Sequence, residues 1–245
     1  MKKKINSKTL LELHRIERQR ITTAEFLQRR SFPHLKRAGV ESWLQRRVQN
    51  EHLTSNPLFG PWVYYTVTGK SVSLLKRAGF PVSRHAIRPL GPEAKRHWYA
   101  FLHFCNPVKG PARSPYRPSL DPDMFPTLTA RVASGTPDPH RRQTFFRQGK
   151  DVGFFVVDRG QPDFVSRKIR PKLFKLMTRD KHPEMRALLD AGRFRLAVAT
   201  TSKSRAAQLQ LQLEHPKPPF PFDVHVVEDL VHFVLSEETA QPLLF

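Results

Sequence analysis

The stretch Val152-Gly153-Phe154-Phe155-Val156-Val157, followed by Asp158-Arg159-Gly160, is the strongest signal for a buried strand in this chain. Its β-branched and aromatic residues favour a strand, and the charged residues and glycine that follow predict where it ends. Alternating strands and helices indicate an α/β layer domain. The elements predicted after this strand are a basic helix over about 163–177, a strand over 194–200, a helix over 202–213, a strand over 224–227 and a helix over 228–235.

The segment before this strand completes the predicted domain. Its expected elements are an aromatic helix over 93–104, a proline-rich basic loop over 106–122, and strands over 124–132 and 144–147. Prolines and a glycine interrupt residues 81–92, which we interpret as a linker. The sequence therefore predicts an α/β domain over residues 93–245 and a separate domain over residues 1–80.

Helical patterns dominate the beginning of the chain. Apolar residues at helical spacing predict helices over about 7–18 and 38–50. Between them, Thr22-x-x-Glu25 is typical of a capping box, which predicts that a second helix starts there.

A hairpin and a closing helix are expected next. His52-Leu53-Thr54 and the aromatic run 62–67 predict two strands, joined by a turn over 55–61. Thr68 is positioned to cap a helix that Gly79 ends. This order is typical of a winged helix-turn-helix, in which the third helix enters the major groove of DNA and the wing lies along its backbone.

The charge of the chain favours a polyanionic partner. Its 245 residues include 42 Lys and Arg against 21 Asp and Glu, a net charge of +21. Residues 1–90 alone hold 18 basic and 5 acidic residues, so the predicted winged helix is the more basic part. The single cysteine, Cys105, excludes an internal disulfide and a cysteine-based zinc or iron–sulfur site. We find no export signal or membrane-spanning run and expect a cytoplasmic protein.

The third predicted helix and the wing supply the candidate contacts to DNA. Polar and basic side chains there offer donors to base edges and phosphates. A winged helix used for protein contact, or a basic face that only meets solvent, are the alternatives. The predicted DNA-binding residues are Lys36, Arg37, Ser42, Gln45, Arg46, Gln49, Trp62 and Lys70.

A metal-dependent nuclease site is the chemical alternative. Asp123 is expected at the start of one strand and Asp158 at the end of another, where two carboxylates can hold a divalent metal. Lys168 or Lys172 would then face the phosphate. This set is incomplete, because Val156 stands where a carboxylate is expected, two residues before Asp158. In the structural interpretation, Asp158 instead caps a turn and Arg159 pairs locally.

Four segments carry a resemblance to a known family: Ile21-Thr22-Thr23-Ala24-Glu25-Phe26-Leu27, Tyr64-Tyr65-Thr66-Val67-Thr68-Gly69-Lys70, Pro122-Asp123 and Phe154-Phe155-Val156-Val157-Asp158-Arg159-Gly160. Over roughly residues 8–235, the chain resembles the replication-relaxation family of bacterial plasmids and integrative elements. The resemblance implies a winged helix joined to a restriction-endonuclease-like domain, with a role in replication or conjugative mobilisation. Val156 departs from the glutamate usual in that family, which implies a degraded site and binding without cleavage.

These observations predict a non-enzymatic protein that binds double-stranded DNA of a plasmid or mobile element. The expected partners are double-stranded DNA and replication or mobilisation proteins, with a homodimer as one arrangement and no membrane association. No cofactor is expected. The alternatives are a DNA nuclease or nickase that uses Mg²⁺ with Asp123 and Asp158, and a transcriptional repressor that dimerises through its second domain.

Overall fold

The computed structural model describes residues 5–82, 87, 90–107, 110–111, 113–140, 143–178 and 183–233. The chain divides into two compact units, one of residues 1–102 with 232–245 and one of residues 103–231. The division falls inside helix α5 (Pro92–Cys105), whereas the sequence places a linker over 81–92, a segment that lies partly outside the described residues. Aromatic residues of α5 pack in each unit: Tyr99 packs on Phe59 in the first unit, and Phe104 packs on Phe146 in the second.

Helices α1 (Ser7–Gln19), α2 (Ala24–Ser31), α3 (Arg37–Gln49) and α4 (Gly69–Arg77) build the first unit. Thr68 caps α4 as predicted, by accepting a hydrogen bond from the Ser71 amide. The predicted capping box is wrong by one residue, because Thr23 and not Thr22 caps α2. The backbone of Thr22 instead pairs with Tyr65, which holds Thr22 in an extended conformation before the helix can start.

The predicted hairpin is confirmed. Strands β1 (Leu53–Pro57) and β2 (Val63–Val67) pair antiparallel, with Leu53 opposite Val67 and Pro57 opposite Val63. The turn predicted over 55–61 starts too early, since Ser55, Asn56 and Pro57 continue the strand and the chain reverses over 58–62. Fully buried side chains from the helices and the hairpin form one core, among them Leu13, Ile16, Val40, Leu44 and Leu75.

A five-stranded mixed sheet forms the second unit. Its order is β3-β4-β5-β6-β7, antiparallel from β3 to β5 and parallel from β5 to β7. The mixed α/β class is confirmed, as are the strands predicted near 144–147, 152–157, 194–200 and 224–227. The strands are β3 (Ser114–Tyr116), β4 (Thr144–Gln148), β5 (Asp151–Val157), β6 (Phe194–Thr200) and β7 (Phe222–Val226).

Two further predictions for this unit are wrong. The strand predicted over 124–132 is helix α6 (Pro126–Ala133), which begins with a proline and whose Thr127 and Leu128 amides donate to the Glu184 carboxylate. Part of the segment predicted as a loop is strand β3, which forms by pairing with β4. Both outcomes depend on contacts distant in sequence.

Helices cover the sheet. Helix α7 (Arg170–Thr178) continues directly from a π-helical turn (Val165–Ile169), and α8 (Pro183–Asp190) and α9 (Lys203–Glu214) follow. The predicted helix over 228–235 begins with a 3₁₀ turn (Glu228–Leu230), and its last two residues lie outside the described chain. In the described parts of the chain, we find no helix with the length and hydropathy needed to cross a bilayer.

Candidate nucleic-acid interface

Helix α3 has one buried side and one polar side. Val40 and Leu44 are fully buried in the first unit. Ser42, Gln45, Arg46 and Gln49 recur at spacings of three and four residues, so they form one exposed stripe on the opposite side. Lys36 and Arg37 are also exposed, at the beginning of the helix. The six residues predicted from this helix to contact DNA are therefore all exposed.

Contacts within α3 hold several of its long side chains. The Arg37 Nε lies 2.7 Å from Glu41 Oε1, and the Arg46 Nε donates to the Ser42 carbonyl at 3.3 Å. The Arg47 guanidinium lies over the Trp43 ring, 5.5 Å from its centroid. Partial burial, together with the charge of Arg46, lowers the pKa of Arg47. Arg47 thus belongs to the edge of the core, and Arg46 to the exposed stripe.

The two remaining predicted residues lie outside α3. Trp62, at the turn of the hairpin, is 42% exposed and packs against Phe59. Lys70, in the first turn of α4, has an intramolecular partner, because its Nζ lies 2.9 Å from Glu51 Oε2. That hydrogen bond lowers the pKa of Glu51. A DNA phosphate would therefore compete with the Glu51 carboxylate for the Lys70 ammonium group.

Asp158 lies in a buried ion pair at the carboxyl end of β5. Its side chain is 1% exposed, and the Arg205 guanidinium donates to both oxygens, from Nε at 2.9 Å and from Nη2 at 3.1 Å. Thr200 Oγ1 donates at 3.0 Å and the Gly160 amide at 3.1 Å. Asp158 therefore fixes the turn after β5, and its hydrogen bond raises the pKa of Arg205.

The other residues of the nuclease alternative lie in different environments. Asp123 is exposed in the turn before α6, so its predicted place at the start of a strand is wrong. Lys168 is exposed in the π-helical turn, and the Lys172 Nζ lies 5.9 Å from the ring centroid of Phe154. Within the described residues, no group of three or more His, Cys, Asp or Glu side chains is arranged to hold a metal ion.

Sequence reasoning missed Arg205 and Thr200. They lie 47 and 42 residues after Asp158, and nothing in the local pattern marks them as its partners. The detectable signal is Ser202, which caps α9 by accepting from the Arg205 amide and so places that residue in the first turn. Only the parallel pairing of β5 with β6 brings this turn to Asp158.

His225 is a half-buried polar group that the sequence does not reveal. It lies on β7 with its ring 4.8 Å from that of Phe104, and its buried Nε2 has no hydrogen-bond partner among the described residues. Burial, together with the positive charge of Arg113, lowers the pKa of His225 from 6.5 to about 4, although Asp223 opposes this shift. The folded protein therefore keeps this imidazole neutral.

The shifted pKa of His225 predicts a loss of stability in mild acid. Above its unfolded pKa the imidazole is neutral in both states, whereas between pH 6.5 and pH 4 only the unfolded chain takes up the proton. This group should therefore lower the free energy of unfolding by up to about 3 kcal/mol over that range. Urea unfolding of the wild type and of His225→Phe at a series of pH values measures how the free energy of unfolding changes with pH in each protein. Equal slopes in the two proteins would contradict the assignment.

No known protein family, curated protein or solved structure matches this chain. The resemblance to the replication-relaxation family therefore stays a prediction.

Proposed function

We propose that the protein binds double-stranded DNA without cleaving it, and acts in the replication or conjugative mobilisation of a plasmid or mobile element. The main support is the exposed stripe of Ser42, Gln45, Arg46 and Gln49 on α3, which lies opposite the buried Val40 and Leu44. Glutamine and arginine carry the donors and acceptors that read base edges in the major groove. Serine and the arginines also suit phosphate contacts.

The order of elements in the first unit supports a winged helix. Helices α1, α2 and α3 are followed by the hairpin β1–β2, and Thr22, between α1 and α2, adds a backbone bridge to Tyr65 of β2. Three helices with a small antiparallel sheet are the arrangement in which a recognition helix docks in the major groove. In this proposal α3 is that helix, and Trp62 lies on the wing.

The net positive charge of the chain also supports DNA as the partner. The net charge of +21 gives the chain a long-range attraction to a polyanion, and residues 1–90 carry a large part of it. Binding that neutralises six to ten phosphates loses about 10³–10⁵ in affinity between 50 and 200 mM salt.

The second unit is proposed to be a restriction-endonuclease-like domain without catalysis. Its mixed sheet suits that fold class. Asp158 already has Arg205, Thr200 and the Gly160 amide as partners, which supports a structural role for this carboxylate. The replication or mobilisation role comes from the family resemblance alone.

Sequencing of the DNA captured by the full-length chain identifies its site, and fluorescence anisotropy then measures affinity for that duplex and for a scrambled one. We expect tighter binding to the captured site, with a steep salt dependence for both duplexes. Affinity that does not change with salt would overturn the proposal. Enrichment over promoters rather than an origin would favour the repressor.

Charge reversal on the α3 stripe tests the recognition helix. Arg46→Glu should weaken binding to the captured site at least tenfold, since it replaces an attraction to DNA with a repulsion. The matched control is Arg77→Glu, the same change at an exposed position in the last turn of α4. Gln49→Ala should reduce the preference for the site over the scrambled duplex. If Arg46→Glu binds like Arg77→Glu, α3 does not contact DNA.

A further inference from the structure

We propose that the tip of the β1–β2 hairpin is an apolar wedge, in which Trp62 inserts between base pairs of duplex DNA while Lys95 holds an adjoining phosphate. The choice of DNA as the partner rests on the proposed function. The hairpin is distinguished by its lack of charge, since residues 53–69 contain no Lys, Arg, Asp or Glu in a chain of which 26% of the residues are charged. A wing that only followed the phosphates would carry basic residues of its own.

Backbone contacts fix the shape of the tip. The Leu58 amide donates to the Trp62 carbonyl at 2.8 Å, and the Trp62 amide donates to the Phe59 carbonyl at 3.0 Å. Gly60 takes a positive φ of 50° in this turn, and the ring of Pro61 restricts φ of the residue before Trp62. A side chain on such a turn loses little backbone freedom when it binds, which favours insertion.

The ring of Phe59 anchors the tip to its own unit. Phe59 is buried, and its ring centroid lies 5.5 Å from that of Tyr99 and 4.8 Å from that of Phe233. The Trp62 ring lies 6.2 Å from the Phe59 ring and is still 42% exposed, and the neighbouring Val63 is 41% exposed. The turn therefore presents two adjacent apolar side chains to solvent on a fixed support, which is a feature of interaction sites.

A positive charge lies at the base of the tip. The Lys95 Nζ donates to the Pro57 carbonyl at 3.1 Å and lies 5.8 Å from the ring centroid of Tyr64. Pro57 pairs with Val63 at the last position of the hairpin before the turn. Because a carbonyl is neutral, this contact does not cancel the charge of Lys95. Duplex DNA offers the complementary arrangement, in which stacked bases lie directly inside a row of phosphates.

Insertion of Trp62 would change the shape of the duplex. Apolar side chains that enter between base pairs unstack that step and kink the DNA. Pyrimidine–purine steps such as TA and CA are the easiest to unstack, so the wedge should select one of them within the binding site. At a replication or mobilisation site, unstacking would weaken the duplex next to the bound protein.

The test uses the full-length chain and copies of the captured duplex with 2-aminopurine at successive positions, since 2-aminopurine fluorescence rises when the base is unstacked. The wild type should produce a rise at one pyrimidine–purine step. Trp62→Ala should abolish this rise and weaken binding about tenfold, within the range for loss of one base-stacking side chain. Trp62→Phe keeps an aromatic ring and should retain most of both effects.

The matched control is Leu11→Ala, which removes an exposed apolar side chain from α1 in the same unit. Circular dichroism during urea unfolding verifies that the variants are folded. The wedge is overturned if the wild type unstacks no position of the duplex, or if Trp62→Ala and Trp62→Phe bind and unstack DNA as Leu11→Ala does.

Salt dependence separates the apolar part of the site from its charge. Trp62→Ala removes no charge, so its slope of log affinity against log salt should equal that of the wild type. Lys95→Gln removes one charge but keeps a donor for the Pro57 carbonyl, so the slope should fall by about 1. A wild-type slope in Lys95→Gln would remove Lys95 from the site.

Arg46→Glu distinguishes the wedge from the proposed recognition helix. If Arg46→Glu weakens binding and Trp62→Ala does not, only the wedge is overturned. If Trp62→Ala abolishes unstacking and Arg46→Glu has no effect, the wedge is supported and α3 is rejected as the recognition helix. Sedimentation velocity covers a protein partner. A Trp62→Ala protein that binds DNA normally but no longer self-associates as the wild type does would place the tip between two copies of the chain and overturn the wedge.

Discussion

Asp158→Ala is expected to lower the free energy of unfolding of the second unit by about 3–5 kcal/mol. The substitution removes the acceptor of the Arg205 guanidinium, whose side chain is only 14% exposed, and leaves that charge without its main partner. Thr200 Oγ1 and the Gly160 amide lose their acceptor as well. An uncompensated charge and unsatisfied donors are among the most costly defects in a protein interior.

The distribution of tryptophans provides an internal control for this experiment. Trp43, Trp62 and Trp98 all belong to the first unit, so tryptophan fluorescence during urea unfolding follows that unit. Far-ultraviolet circular dichroism follows both units. Asp158→Ala should therefore move the dichroism transition to lower urea by more than it moves the fluorescence transition.

A double-mutant cycle identifies the cause of the loss. Replacing a buried ion pair by apolar residues of similar size is often close to neutral, so Asp158→Leu/Arg205→Met should recover much of the stability lost by Asp158→Ala. A stable Asp158→Ala protein that lost a Mg²⁺-dependent plasmid nicking activity of the wild type would instead favour the nuclease.

The parts of the fold that local sequence decides were predictable. The apolar run from Val152 to Val156 is buried in β5, and strand β2 of the hairpin lies within one residue of its predicted position at 62–67. Helix α3 was predicted within one residue at each end, and its exposed stripe follows from helical periodicity alone. In each case a local pattern of apolar residues extends over the whole element.

The errors occur where distant contacts decide the conformation. Thr22 has the sequence of a cap, yet its backbone pairs with Tyr65 and the helix starts later. Ser114–Tyr116 lies among prolines and still forms a strand, because β4 supplies a pairing edge. The segment around Leu128 carries β-branched residues, but Pro126 and the Glu184 carboxylate at the helix start favour α6. A local pattern contains none of these partners.

The residues of the candidate sites also fall into a group that the local sequence predicts and a group that it does not. The α3 stripe lies on one element, so its residues could be chosen from spacing. The partners of Asp158 lie on β6 and α9, and the residue predicted to share a metal with it, Asp123, lies in the turn before α6. A metal site predicted from carboxylates at two strand ends requires that both strands form, and the segment after Asp123 forms helix α6 instead.

Gly153→Ala is expected to destabilise the second unit by about 3 kcal/mol, at the upper end of the usual range for overpacking. Gly153 lies opposite Phe146 in the antiparallel pair of β4 and β5, and an added Cβ would overlap the Phe146 ring. That ring is fully buried and packs edge-on against Phe104, so it has little room to move. Circular dichroism during urea unfolding measures the loss. The matched control is Gly69→Ala at the start of α4, where no atom lies within 4 Å of the added carbon.

A second substitution at Phe146 shows whether the overlap causes this loss. Phe146→Leu alone should cost stability because it leaves a cavity, but in Gly153→Ala/Phe146→Leu the added methyl group occupies part of that space. The double variant should therefore be more stable than the sum of the two single losses predicts. Strictly additive losses would mean that the ring and the glycine do not compete for the same volume. A glycine inside a strand weakens it unless another group needs the space, so non-additivity would show that the Phe146 ring requires glycine at position 153.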